Sequence, residues 1–316
     1  MKRVCILVCA LLFLPILGCT SQTAYYSSVG FCCDTVVTVS AYADSQQVVD
    51  DALAVCARYE QLLSKEIAGS DVWNINHANG DPVVVSDAAI QVLTIAQEVY
   101  QLSDGAFDIT IASASELWDF RSDTPQVPNA DALLNACLHI DAFKIEVQGN
   151  TVTLPVDMRI DLGGVAKGYI ADQVKAYLLA QGVKSACINM GGNVVTIGTK
   201  PDGADWQVGV RDPNGTAADS CKVVSVHDMA VVTSGDYERY LEVDGVRYHH
   251  ILDPKTGMPV MGEVRSVTIL CADSAVADAL STAIFVMQGE AVEPLLRSFS
   301  AQCILVYRDG TVQEIT

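Results

Sequence analysis

The run RIDLGGVAKGYIADQVKAYLLAQGVKSACINMGGNVVTIG fills residues 159–198. An apolar, strand-like stretch stops at Gly163-Gly164, and a helix then runs to about Leu179. A strand, a glycine turn and a second strand follow. The two glycines allow unusual backbone angles and close approach of a ligand. The helix start offers unpaired N–H groups and the positive end of a dipole, and Lys167 adds a charge in that first turn. The spacing is not the GxxxxGK[ST] of a phosphate loop. An anion site and a plain βα turn both remain open here.

Upstream, DTVVTVSAYA alternates like a strand, and residues 45–65 form an amphipathic helix with Val48, Leu53, Val55 and Leu62 at helical spacing. SDVWNINHANGDPVVVS reads as turn-rich, another helix covers about 87–102, and the stretch from Asp108 to Pro128 reads as loop. FKIEVQGNTVTLP is a strand hairpin. Downstream, WQVGVRD, MAVVTSGD, RYLEVDGVRYHHI and VRSVTILCA read as strands. Helices at 274–288 and 290–298 precede a closing hairpin, CILVYRDGTVQEI. Strands in runs with irregularly interspersed helices predict an α+β fold of mixed, largely antiparallel sheets.

The chain has 316 residues, half of them hydrophobic, with a net charge of -19 and a pI near 4.4. That balance excludes nucleic acid as a partner, which would need clustered Lys and Arg. An acidic protein handling an anionic cofactor needs a metal ion or a local positive patch. The N-terminus, MKRVCILVCALLFLPILGC, has basic Lys2 and Arg3 before an apolar run too short to span a bilayer. Its end resembles a bacterial lipobox. The expectation is a lipoprotein signal peptide over 1–18, lipidation of Cys19, a tether over 19–29 and one globular domain over 30–316. The mature chain would be lipid-anchored at the extracytoplasmic face of the cell membrane. Of eleven cysteines, none forms a CxxC pair, which argues for buried thiols over zinc or thioredoxin-like sites.

Three further segments carry candidate chemistry. In ADSAVADALSTAIFV, Asp278, Ser281 and Thr282 share one helix face, and their oxygens are hard ligands that suit Mg²⁺. A solvated helix edge would give the same spacing. In YHHILDPKTGMPV, strand alternation points His249 and His250 to opposite faces, so one of them turns inward and is either a general base or structural. In SDGAFDIT, Phe107 and Asp108 follow a glycine turn, where an aromatic borders a planar ring or joins the core.

Taken in order, CDTVVTV, LSKEIAGSDVWNIN, SDGAFDIT, IDLGGVAKGYIAD, INMGGNVVTIG, TSGDYERY, HILDPKTGMP and ADALSTAIFV resemble the ApbE family of FAD:protein FMN transferases. The resemblance spans nearly all of the chain beyond the signal. It implies an α+β enzyme that binds FAD with Mg²⁺, attaches FMN through a phosphoester to a threonine of another protein, and releases AMP. By position, Asp161 and Lys167 would touch FAD. The Gly164 carbonyl, Asp278, Thr282 and Ser281 would hold Mg²⁺. Ala106, Phe107, Asp108 and Ile251 would line the flavin nucleotide. His250 would be the base, with Asp253 orienting or replacing it. Glu66 stands where some relatives have an aromatic flavin contact, and Cys33 where many have Met.

Hydrolysis of FAD to FMN and AMP is an alternative that uses the same residues. A non-catalytic flavin-binding lipoprotein is another, although it would not need Asp278, Thr282 and His250 together. The implied partners are exported or membrane-bound flavoproteins with an Asp-[Ser/Gly]-x-x-Thr-like acceptor motif. DSAVAD at 273–278 lacks that threonine, so no self-acceptor is evident.

Overall fold

A computed structural model describes residues 23–120, 126–216 and 218–316. In chain order the first strands are β1 (Ala24–Cys32), β2 (Thr35–Ala43), β3 (Val83–Val84), β4 (Glu146–Gln148) and β5 (Thr151–Thr153). Then come β6 (Ala186–Met190), β7 (Asn193–Ile197), β8 (Trp206–Arg211), β9 (Ser220–Val226) and β10 (Ala230–Gly235). The last are β11 (Tyr240–Val243), β12 (Val246–His249), β13 (Val264–Cys271), β14 (Gln302–Tyr307) and β15 (Val312–Ile315). The helices are α1 (Gln46–Leu63), α2 (Asp71–His77), α3 (Asp87–Leu102) and α4 (Ala112–Ser115). They continue with α5 (Ala130–Cys137), α6 (Ala166–Ala180), α7 (Ser274–Val286) and α8 (Val292–Ser298).

Eight strands form the main sheet in the order β1-β2-β6-β7-β10-β13-β14-β15. Each neighbouring pair is antiparallel, as expected for the fold class. Strand character follows the sequence. β2 buries Val37, Val39, Ala41 and Ala43 on one face, the period-2 pattern of a half-covered strand. β7 and β13 are buried almost throughout, because both faces of the sheet are covered there. Helices α1, α3, α6 and α7 lie over one face. On the other, Val208, Val210, Val224 and Val226 of the β8–β9 hairpin pack on Val194, Val231, Leu270 and Ile304. α7 thus stands with β10 and β13 beneath it and α6 beside it.

Four expectations need correction. Residues 24–29 are not tether: they form the first part of β1, which pairs along its whole length with β2. Its Tyr25, Val29 and Phe31 face solvent while Tyr26, Ser28, Gly30 and Cys32 face inward, so the inward face lacks the apolar run that betrays a strand. Residues 71–77 are helical, because Ser70 Oγ caps Trp73 N–H at 2.9 Å, an interaction that contributes about 1 kcal/mol. Part of the expected loop between Asp108 and Pro128 is the one-turn helix α4. Residues 159–162 run extended but join no sheet. Instead the Asn76 side chain makes two bonds to the Ile160 backbone at 2.8 and 2.9 Å, and Asp161 N–H donates to the Ile109 carbonyl.

The segment assigned to the signal peptide, with Cys19, lies outside the described residues. No helix among the described residues is long and apolar enough to cross a membrane.

Candidate active site

The junction of α6 and α7 resolves what the helix start at Gly163-Gly164 does. α6 has no side-chain cap of its own at Val165. Its orphan N–H at Gly168 donates to Asp278 Oδ2 on α7 at 2.9 Å, so the anion at this helix end is the protein's own carboxylate. The exchange is mutual: Asp172 on α6 accepts the N–H groups of Ser274 and Ala275, at the start of α7, at 3.1 and 2.9 Å. Burial and the neighbouring Asp273 push the Asp172 carboxyl up to about 7, against the pull of those two N–H groups. The helices meet this closely because residue 168 is glycine; a Cβ there would stand 2.1 Å from the Ser274 carbonyl oxygen.

Gly163 and Gly164 act by size and not by backbone angle, since neither has a positive φ. A Cβ on Gly164 would lie 2.9 Å from the Phe107 ring and 3.6 Å from Thr282 Oγ1. Gly164, Phe107, Thr282 and Asp278 are therefore one cluster. Asp278 is 3% exposed, and Lys167 Nζ reaches its Oδ1 only at 3.4 Å, longer than a tight charge-assisted bond. Lys167 also donates to the Gly163 carbonyl at 3.1 Å. Asp278 and the Thr282 hydroxyl, one helical turn apart beside Gly164, offer only oxygen donors around a buried carboxylate whose counter-charge is loose. That set fits a hard divalent cation. Ser281 is committed elsewhere: its hydroxyl donates to the Asp278 carbonyl and pairs with Ser234 Oγ, each at 2.8 Å. Ser234, at the end of β10, also lies 3.3 Å from Thr282 Oγ1 and ties the helix face to the sheet.

Beside this cluster Asp161 pairs with Lys65 at 3.1 Å and accepts the Gly163 N–H at 2.8 Å. Burial alone would raise its carboxyl, but Lys65, the Gly163 N–H and Arg239 together hold it below the ordinary carboxylate range. Lys65, Lys167 and Arg239 bring positive charge to this part of a chain of net charge -19, Lys65 against Asp161 and Lys167 against Asp278. Lys65 and Arg239 lie within the motifs LSKEIAGSDVWNIN and TSGDYERY, but spacing alone gave no reason to single them out. Glu66, next to Lys65, is exposed to solvent.

The two histidines separate cleanly. His249 is 4% exposed; its Nε2 donates to the Val260 carbonyl at 2.7 Å, its Nδ1 accepts the Ile251 N–H, and its ring meets Phe285 edge-on. Both nitrogens are used by the core. His250 bonds the Arg239 carbonyl through Nδ1 at 3.2 Å. A carbonyl only accepts, so Nδ1 carries the proton and Nε2 keeps the lone pair. Burial lowers the His250 pKa to about 4, with the charges of Arg239, His249 and Lys167 adding to the effect. A neutral imidazole with a free Nε2 is the form a general base needs.

Asp253 does not orient that ring. Its carboxylate accepts Lys255 N–H at 2.9 Å and Thr256 Oγ1 at 3.4 Å inside its own turn, and buried Trp118 pins that turn through the Gly257 carbonyl. Ile251 is buried. Asp108 is likewise engaged, accepting Thr110 N–H and Oγ1 and the Ala142 N–H. Burial raises its carboxyl, an effect those bonds offset in part. Ala106 is half-buried in the turn before Phe107.

The ApbE family model matches residues 33–305. The FAD:protein FMN transferase of Treponema pallidum is 34% identical, with 98% of this chain and 92% of its own length covered. That of Klebsiella pneumoniae is 35% identical, over 84% of this chain and 83% of its own. The crystal structure of the ApbE protein from Thermotoga maritima matches with a TM-score of 0.85 at 34% identity, covering 92% of this chain and 96% of that one. Fold, site and relatives define an enzyme of flavin transfer. The chain belongs to the ApbE family.

Proposed function

We propose that this chain transfers FMN from FAD to a threonine hydroxyl of a partner protein, forming a phosphoester and releasing AMP in a Mg²⁺-dependent reaction. The observation that carries the reading is the convergence of a cation-ready oxygen set, three basic side chains and one histidine with a free Nε2. Lys167, with Lys65 and Arg239 behind it, faces the negative charge of a pyrophosphate. Asp278, Thr282 and the Gly164 carbonyl would hold Mg²⁺, which when bound offsets charge on the phosphates and polarises phosphorus. The acceptor oxygen bonds to the FMN phosphorus as the bond to the bridging oxygen breaks, and AMP departs with that oxygen. His250 Nε2 takes the hydroxyl proton.

The same reading places the chain at the extracytoplasmic face of the membrane, anchored through lipid on Cys19, as the lipobox-like PILGC supports. Its partners there would be exported or membrane-bound flavoproteins carrying an Asp-[Ser/Gly]-x-x-Thr-like motif. The test mixes the chain with FAD, Mg²⁺ and an acceptor domain bearing that motif. Intact mass should show one FMN on the acceptor, and EDTA should prevent it. Free FMN and AMP with an unmodified acceptor would replace transfer by hydrolysis. No product at all would reduce the chain to a flavin binder.

A further inference from the structure

Cys32 and Cys33 sit at the tip of the β1–β2 hairpin, and their environment is unlike that of the other thiols. Cys32 pairs with Thr35, so Cys33 and Asp34 are the two central residues of the turn, with φ of 52° and 58°. Such a turn favours Asn-Gly or Asp-Gly, and a cysteine there is a costly choice on local grounds. Cys32 Sγ lies 3.6 Å from Cys33 Sγ. Glu60, on α1, approaches the same turn and accepts the Cys33 N–H at 2.7 Å. The donor atoms of Cys32, Cys33 and Glu60 all lie within 4.8 Å of one another.

We propose that Cys32, Cys33 and Glu60 form a site for a thiophilic metal ion of the zinc type, with donor atoms distinct from the oxygen set at Asp278. Two thiolates bound to tetrahedral zinc at about 2.3 Å stand about 3.8 Å apart, close to the spacing already present. Three protein ligands leave a fourth position open. It is reached past Cys33, which is half-buried, while Cys32 is 3% exposed. Donor chemistry keeps the two sites distinct: paired sulfurs select soft or borderline ions, and the oxygens around Asp278 select hard ones. Adjacent cysteines lack CxxC spacing, which is why the sequence argued against zinc; the third donor comes from α1.

The test uses the full chain, metal-free and with thiols reduced, without FAD. With excess Mg²⁺ present to fill the oxygen set, titration with Co²⁺ should give one sulfur-bound equivalent with sulfur-to-metal charge-transfer absorption, and Zn²⁺ should displace it. Competition with a chromophoric chelator should show zinc affinity falling about a hundredfold in Cys33→Ser and about tenfold in Glu60→Gln, taking the scale of losses at metal sites. Asp278→Ala should change it far less than Cys33→Ser does. A thermal melt of Cys33→Ser should confirm that the variant is folded. Absence of the charge-transfer band, or zinc affinity unchanged in Cys33→Ser, overturns the proposal.

Discussion

At the α6–α7 junction the contacts that matter join residues far apart in the chain, whereas the segment from His249 to Gly257 is held largely by backbone groups close to it in sequence. Asp278 caps α6 and Asp172 caps α7, so neither helix end is complete without the other. In the second region His250 N–H and Nδ1 both rest on the Arg239 carbonyl, Val260 N–H pairs with the Ile251 carbonyl, and Asp253 closes its own turn. The junction therefore couples stability to chemistry. The histidine segment allows the two to be separated.

The largest effect should come from Asp278→Ala. Turnover should fall by about a thousandfold, the scale of losing a main electrostatic group. The fold should also weaken by about 1–3 kcal/mol, because Gly168 N–H loses its partner. Single-turnover kinetics and a thermal melt read both, and undiminished activity would remove Asp278 from the site. Next, His250→Ala should lower kcat by about a hundredfold with little change in Tm. His249→Ala should do the reverse, lowering Tm while the folded fraction keeps its kcat. If both variants behave alike, the two regions do not differ as described.

The pH profile sharpens the same point. With its pKa lowered to about 4, His250 stays neutral through the range where an ordinary histidine, near 6.5, becomes charged. The rate should hold below pH 6 and fall only towards pH 4; a midpoint near 6.5 would contradict this. For stability the sign is fixed. The unfolded chain binds this proton more readily, so the contribution of His250 is present above pH 6.5 and is lost as pH drops from 6.5 to 4. Gly168→Ala should destabilise by about 1–3 kcal/mol, since the added methyl meets a backbone carbonyl and not a flexible side chain; a Tm equal to that of the parent would show that the helices can part. The smallest effect is expected for Lys167→Ala, with FAD affinity falling about tenfold and Tm nearly constant. Equal FAD affinity by fluorescence titration would confine Lys167 to its bond with Asp278.

Periodicity exposed the long amphipathic elements α1, α3 and α6 and the apolar α7, because each spans several turns and buries one stripe or nearly all of its surface. It missed α5, whose first turn Asn129 caps by accepting two backbone N–H groups, and β9, whose buried valines face the side of the main sheet opposite the helices. In the site, Asp278 and Thr282 were legible because they share a helix face. Lys65, Ser234 and Arg239 were not, since each acts through a partner brought near only by folding. The flanking glycines were visible as residues but not as causes: Gly168 permits helix contact, and Gly164 makes room for Phe107.

Lys167 beside Asp278 gives the fold a resident stand-in cation. A divalent ion bound by Asp278 would exchange with an ammonium and would not have to organise a self-repelling cage. The helix pair can close on its own charges, and an ion would then join as a replaceable visitor. Under the metal dependence proposed above, scarcity of the ion would idle the enzyme without exposing an unfolded chain to proteases.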